Sequence, residues 1–115
     1  MCCITVGNSP SFSAATLFDT NVHTSFVNRK VAAWIELQAK GDKGYAKRRR
    51  LGSETAAASV SLAGTSHASA ILGSVVFDLK RSESHETIRN IHAQVLESCI
   101  AVIISRPVIR ENHLV

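Results

Sequence analysis

The stretch Ser82-Glu83-Ser84-His85-Glu86-Thr87-Ile88-Arg89-Asn90-Ile91-His92-Ala93-Gln94-Val95-Leu96-Glu97-Ser98-Cys99 carries the clearest periodic signal in the chain. Ile88, Ile91, Val95 and Cys99 recur at three- and four-residue spacing, with Leu96 beside them, which predicts a helix with one apolar stripe. Ser82 or Ser84 would cap it, and Glu83 and Glu86 suit the positive end of its dipole. The next run, Ile100 to Ile104, is continuously apolar and rich in β-branched residues, as expected of a strand buried on both faces. Upstream, Val75, Val76 and Phe77 favour a strand over Ala70 to Leu79, although its Ala- and Ser-rich start equally suits a buried helix. Strand, helix and strand in this order predict a β–α–β unit with a right-handed crossover. The expected fold class is therefore α/β or α+β, a single small domain with a C-terminal helix–strand unit. If Ala56 to Leu79 is helical, the domain is mainly α.

Towards the N-terminus the signals are shorter. Ile4 to Val6 reads as a short edge strand in an otherwise irregular segment 1–16, where Ser-rich sequence and Pro10 indicate loop. Thr16 to Phe18 reads as a strand whose end presents Asp19. Asn28 to Lys40 reads as a helix capped by Asn28, with Val31, Trp34, Ile35 and Ala39 on one face. Gly41 and Gly44 end it. Residues 41–53 then form a basic loop, or a frayed helix through Tyr45 to Leu51. Residues 106–115 read as a flexible tail beyond Pro107.

Composition sets the class. The chain has 115 residues, the size of one domain, and residues 1–115 are read as such. Only six residues are Phe, Trp or Tyr, so the core must rest on Val, Ile, Leu and Ala. The formal charge of +4 favours an anionic partner weakly. Cys2, Cys3 and Cys99 make no disulfide framework and no C-x-x-C pair, which fits reduced thiols in an intracellular protein, cytoplasmic or nuclear. No stretch is apolar for long enough to cross a bilayer as a helix, and the N-terminus is not a secretory signal. His85 and His92, seven residues apart, lack the spacing of a helical metal pair, so no metal site is assigned.

The charge is concentrated in Lys40-Gly-Asp-Lys-Gly-Tyr-Ala-Lys-Arg-Arg-Arg50, where six cations stand against one Asp. Such a cluster attracts phosphate backbones. Lys40, Lys43, Lys47, Arg48, Arg49 and Arg50 are the candidate phosphate contacts, and Tyr45 the candidate base-stacking residue. The expected function is binding of RNA, DNA or another polyanion. The structural alternative is a solvated loop, and the further alternative is a non-catalytic subunit with a protein partner.

Two segments resemble enzyme motifs. Gly64-Thr65-Ser66-His67-Ala68-Ser69 resembles the serine motif of subtilisin-like proteases, with Ala70 where that family has proline. The resemblance implies that Ser66 is a nucleophile at the start of a buried helix, with Ala70 to Leu79 as that helix. Leu17-Phe18-Asp19-Thr20-Asn21-Val22, followed by Lys30-Val31-Ala32-Ala33-Trp34, resembles the start of PIN-domain ribonucleases. That resemblance implies that Asp19 joins other carboxylates to hold Mg²⁺ for phosphodiester hydrolysis. No cofactor is expected under any other reading. Glu36, Glu54, Asp78 and Glu86 are the remaining acids considered for the metal set, and none has that family's flanking residues.

Overall fold

The structure is a computed structural model that describes residues 2–7, 9–42, 44–52, 59–61, 68–81, 86–97 and 101–112. Its elements are β1 (Cys2–Thr5), β2 (Phe12–Ala14), β3 (Thr16–Phe18), β4 (Ser25–Asn28), α1 (Arg29–Ala39), α2 (Tyr45–Gly52), β5 (Ser59–Ser61), β6 (Ala68–Arg81), β7 (Thr87–Leu96), β8 (Val102–Ile104) and α3 (Arg106–Glu111). Among the described residues strand far exceeds helix, so the fold is neither the α/β or α+β domain with a helix–strand unit that the sequence led us to expect nor mainly α. Seven strands run in the order β2-β1-β6-β7-β4-β8-β3, with β5 pairing separately onto β6. The two outermost strands, β2 and β3, are separated in sequence by Ala15 alone. The sheet therefore curls on itself into a nearly closed barrel.

The largest correction falls on Thr87 to Leu96, expected to be helical and found as the strand β7. It pairs antiparallel with β6, so no crossover helix and no β–α–β unit exist there. A β-bulge accounts for the misleading period. Phe77 faces Ile91 while Leu79 faces Ile88, so two steps on β6 match three on β7. The extra residue lies at Arg89–Asn90, where Asn90 takes a positive φ of 56°. The bulge puts Ile88 and Ile91, three apart, opposite buried β6 residues. Beyond it Ile91, Ala93 and Val95 alternate inward at the ordinary strand period. A stripe at positions 88, 91 and 95 thus arises from a bulged strand as well as from a helix. Asp78 holds the bulge, its Oδ1 accepting the Asn90 amide at 2.9 Å.

Three further readings change. Segment 1–16 contains β1 and β2, and β1 is not an edge, since it pairs with both β2 and β6. Of the two readings of residues 41–53, the loop gives way to the helix: Tyr45–Gly52 is α2. Arg106–Glu111, read as tail, is the helix α3 with Ile109 buried; residues 113–115 lie outside the described residues. The helix predicted from Asn28 is α1, and the Asn28 side chain accepts the Val31 amide at 2.9 Å.

The main core joins Val31 and Ile35 of α1 to Ile4, Val27, Val75, Phe77, Leu79, Ile91, Val102 and Ile104 of the sheet. Phe12 stacks on Trp34, centroids 5.2 Å apart, and so fastens the edge strand β2 to α1. A smaller cluster of Phe26, Leu96 and Ile103 forms separately, so β8 is buried on both faces.

Candidate functional site

Asp19 follows β3 directly. Its amide donates to the Ile104 carbonyl at 3.0 Å, extending the parallel β3–β8 pairing one step past the strand end. Its Oδ1 accepts the Asn21 amide at 2.9 Å, closing a side-chain turn, and its carbonyl accepts the Val22 amide at 3.4 Å. The other end of the loop is also tied down. The Arg106 amide donates to the Val22 carbonyl at 2.9 Å. Ser25 and Ser105, both buried, share a hydroxyl–hydroxyl bond of 3.1 Å, and the Ser105 amide donates to Ser25 Oγ at 3.0 Å. Thr20, Asn21, His23 and Thr24 are exposed, and Asp19 is half-buried. The result is a short loop fixed at both ends that presents a carboxylate beside solvent. Leu17, two residues earlier, is one of the few large apolar side chains left exposed.

In the basic segment Tyr45, Arg48 and Arg49 are engaged within the fold. Tyr45 is buried, and its hydroxyl accepts the Val76 amide at 3.2 Å. Its ring is almost wholly covered, which leaves little face for a base to stack on, and the same burial raises its phenol above the ordinary tyrosine value. Arg48 reaches both oxygens of Asp42, at 2.6 and 3.4 Å. That contact and the Gly44 amide hold the Asp42 carboxyl below its usual value, and the same bond raises the Arg48 guanidinium. Arg49 pairs with Glu36 of α1 at 2.7 Å. Lys40 and Lys47 are exposed. Lys43 lies outside the described residues, as does the side chain of Arg50. Two of the segment's six cations, Arg48 and Arg49, therefore fasten α2 to the turn before it and to α1. The partners Glu36 and Asp42 escape sequence reasoning because Arg48 and Arg49 stand at no helical spacing from them.

The other sequence-derived candidates are not brought together. Ser66, with Gly64, Thr65 and His67, lies outside the described residues. Ala70 to Leu79, a helix under the subtilisin-like resemblance, belongs to the strand β6. Glu36 is engaged by Arg49, and Asp78 by the Asn90 amide and, at 3.7 Å, by Arg89. Glu54 and His85 lie outside the described residues, while His92 is exposed on β7. Among the described residues no three His, Cys, Asp or Glu side chains gather as a metal site requires. Among them, too, no helix is long and apolar enough to cross a membrane.

No family model, curated protein or solved structure matches the chain.

Proposed function

We propose that the chain is one half of a carboxylate-dyad hydrolase, in which Asp19 works with Asp19 of a second copy. The observation that carries this reading is the loop after β3: a carboxylate at a strand end, fixed by backbone bonds to β8 and to the start of α3, with exposed residues around it. A binding or catalytic side chain on a loop held by a rigid scaffold is the usual arrangement of a site. One carboxylate cannot be both the base that activates water and the acid that protonates the carbonyl oxygen. A two-fold contact supplies the second from the same residue of the other copy. Like charges brought to contact cannot both ionise, so such a pair shares one proton. The ionised partner takes a proton from the attacking water while the protonated one gives its proton to the carbonyl oxygen. The C–N bond then breaks as one carboxyl gives a proton to the departing amine and the other takes one from a hydroxyl of the tetrahedral intermediate, which leaves the carboxylic acid product and a pair that again shares one proton. This is the chemistry of aspartic proteases, and the substrate class is a peptide. The exposed Leu17 beside Asp19 supplies apolar area for the contact between copies.

The reading is tested with a mixed peptide library at mildly acidic and neutral pH. Cleavage at acidic pH that is abolished in Asp19→Asn is expected, together with a dimer in sedimentation. Cleavage that persists in Asp19→Asn, or a protein that stays monomeric and inert at high concentration, overturns it.

A second reading rests on Lys40 and Lys47, which stay exposed on and before α2: a modest contact with RNA, DNA or another polyanion. It predicts binding that weakens steeply with salt and is lost in the Lys40→Ala, Lys47→Ala double variant. Binding indifferent to both changes ends that reading.

A further inference from the structure

Ser25 and Ser105 are two of the three buried polar or charged residues of the described core, and they bond to each other across eighty positions of sequence. Buried hydroxyls cost free energy unless satisfied. Ser105 is also the residue that precedes α3, where a serine hydroxyl ordinarily caps the helix. Here it makes no capping bond and accepts instead from Ser25. Ser25 in turn takes the Ser105 amide. Next to this pair the Arg106 amide holds the Val22 carbonyl. The loop from Asp19 to Thr24 is thus fastened at its far end to the β8–α3 corner, while at its near end Asp19 is bonded to Ile104 of the same corner. Both ends of the loop hang on three consecutive residues, Ile104, Ser105 and Arg106.

We infer that Ser25 and Ser105 are positioning residues: their buried hydroxyl pair locks the loop so that the Asp19 carboxylate keeps one orientation. The function of this latch rests on the reading of Asp19 as the reacting acid; its mechanical part does not. Small displacements of a reacting group lower rates steeply, whereas substrate contacts elsewhere are untouched. Loss of the latch therefore reduces kcat and leaves KM nearly unchanged.

The test uses Ser25→Ala, Ser25→Thr and Ser105→Ala in the full chain, with two readouts. The first is amide hydrogen exchange at Asn21, Val22 and Arg106. Ser25→Ala is expected to speed it by an order of magnitude or more while the Val102 to Ile104 amides stay protected, and Ser25→Thr, which keeps the hydroxyl, is expected to restore it. Ser105→Ala, which keeps the Ser105 amide bond to Ser25, should fall between them. The second readout is peptide cleavage: a kcat loss on the order of ten- to a hundredfold in Ser25→Ala, little change in KM, and recovery in Ser25→Thr. Unchanged loop exchange in Ser25→Ala overturns the latch, whatever the activity. Faster exchange with unaltered kcat overturns its catalytic role. If the wild-type protein shows no cleavage that depends on Asp19, the function proposed above fails, and the latch is judged on exchange alone. Should Ser25→Ala not fold, Ser105→Ala carries the same comparison.

Discussion

At the scale of single residues, local chemistry and distant partners divide the positions cleanly. Asn28 is legible as a helix cap because its partner, the Val31 amide, is three residues away. Tyr45 is not legible, since its partner Val76 lies on a strand thirty-one positions later. An aromatic among arginines looks like a base-stacking residue until the strand that buries it is known. The amide of Val76 lies on a stretch of β6 beyond the end of β1, and the Tyr45 hydroxyl satisfies it. Tyr45→Phe is therefore expected to cost about 1–3 kcal/mol, read from urea unfolding, by leaving a buried amide unpaired. Tyr45 is the sole tyrosine, so phenolate absorbance reports it directly. Its folded value is raised by burial, so its contribution to stability is complete below the ordinary tyrosine value near 10 and is lost as pH rises through the folded one. A native-state titration midpoint at the free-tyrosine value would contradict this. Asp42 has the opposite sign. Its folded value is lowered, chiefly by the Arg48 hydrogen bond, so its contribution is present above the ordinary value of 3.8 and is lost as pH falls through the lower folded one. Asp42→Asn is expected to flatten the fall in stability below about pH 4 in urea titrations.

At the scale of elements, β7 shows why the period of apolar residues failed to decide the fold. Three-residue spacing from Ile88 to Ile91 belongs to a helix or to a strand with one inserted residue, and the apolar pattern alone does not separate them. The separating fact is the partner: β6 supplies Phe77 and Leu79 opposite these two isoleucines. Only asparagine at 90, a residue that tolerates positive φ, hints at the bulge. Asn90→Gly is expected to be neutral or slightly stabilising. Asn90→Val should lose roughly 1–2 kcal/mol because its side chain resists that backbone. Thermal melts of the two variants check the order, and equal melting temperatures would remove the bulge from the account. Short strands fared differently. Thr16 to Phe18 was legible because three apolar-leaning residues stop at a turn-forming Asp, which sets the Asp19 carboxylate at the strand end. The Ser25–Ser105 pair had no sequence signal, as nothing local marks a serine that will meet another eighty residues away.

At the scale of the whole molecule, strand order governs behaviour. β3 and β4 find their neighbours in β7 and β8, near the other end of the chain. Deleting residues from Val102 onwards is expected to abolish cooperative melting, because it leaves β3 without its partner strand and strips one side of β4. Refolding of the intact chain should take on the order of milliseconds to seconds, as non-local pairing is slow. A microsecond phase accounting for the full stopped-flow or temperature-jump amplitude would refute that. Leu17→Lys tests the proposed contact between copies from outside the loop that carries Asp19: sedimentation should show weaker association with the monomer fold intact.

The one-residue join at Ala15 has a consequence for synthesis of the chain. β2 and β3 leave the ribosome together, yet they must end on opposite margins of one curved sheet. Their partners emerge much later, Val102 arriving on the order of five to fifteen seconds after Phe18 at ordinary translation rates. Throughout that interval the nascent protein carries Leu17 and Phe26 on strands with open edges, a template for pairing with a neighbouring chain on the same messenger. The order of strands therefore leaves β3 and β4 exposed to such pairing until Val102 to Ile104 are made.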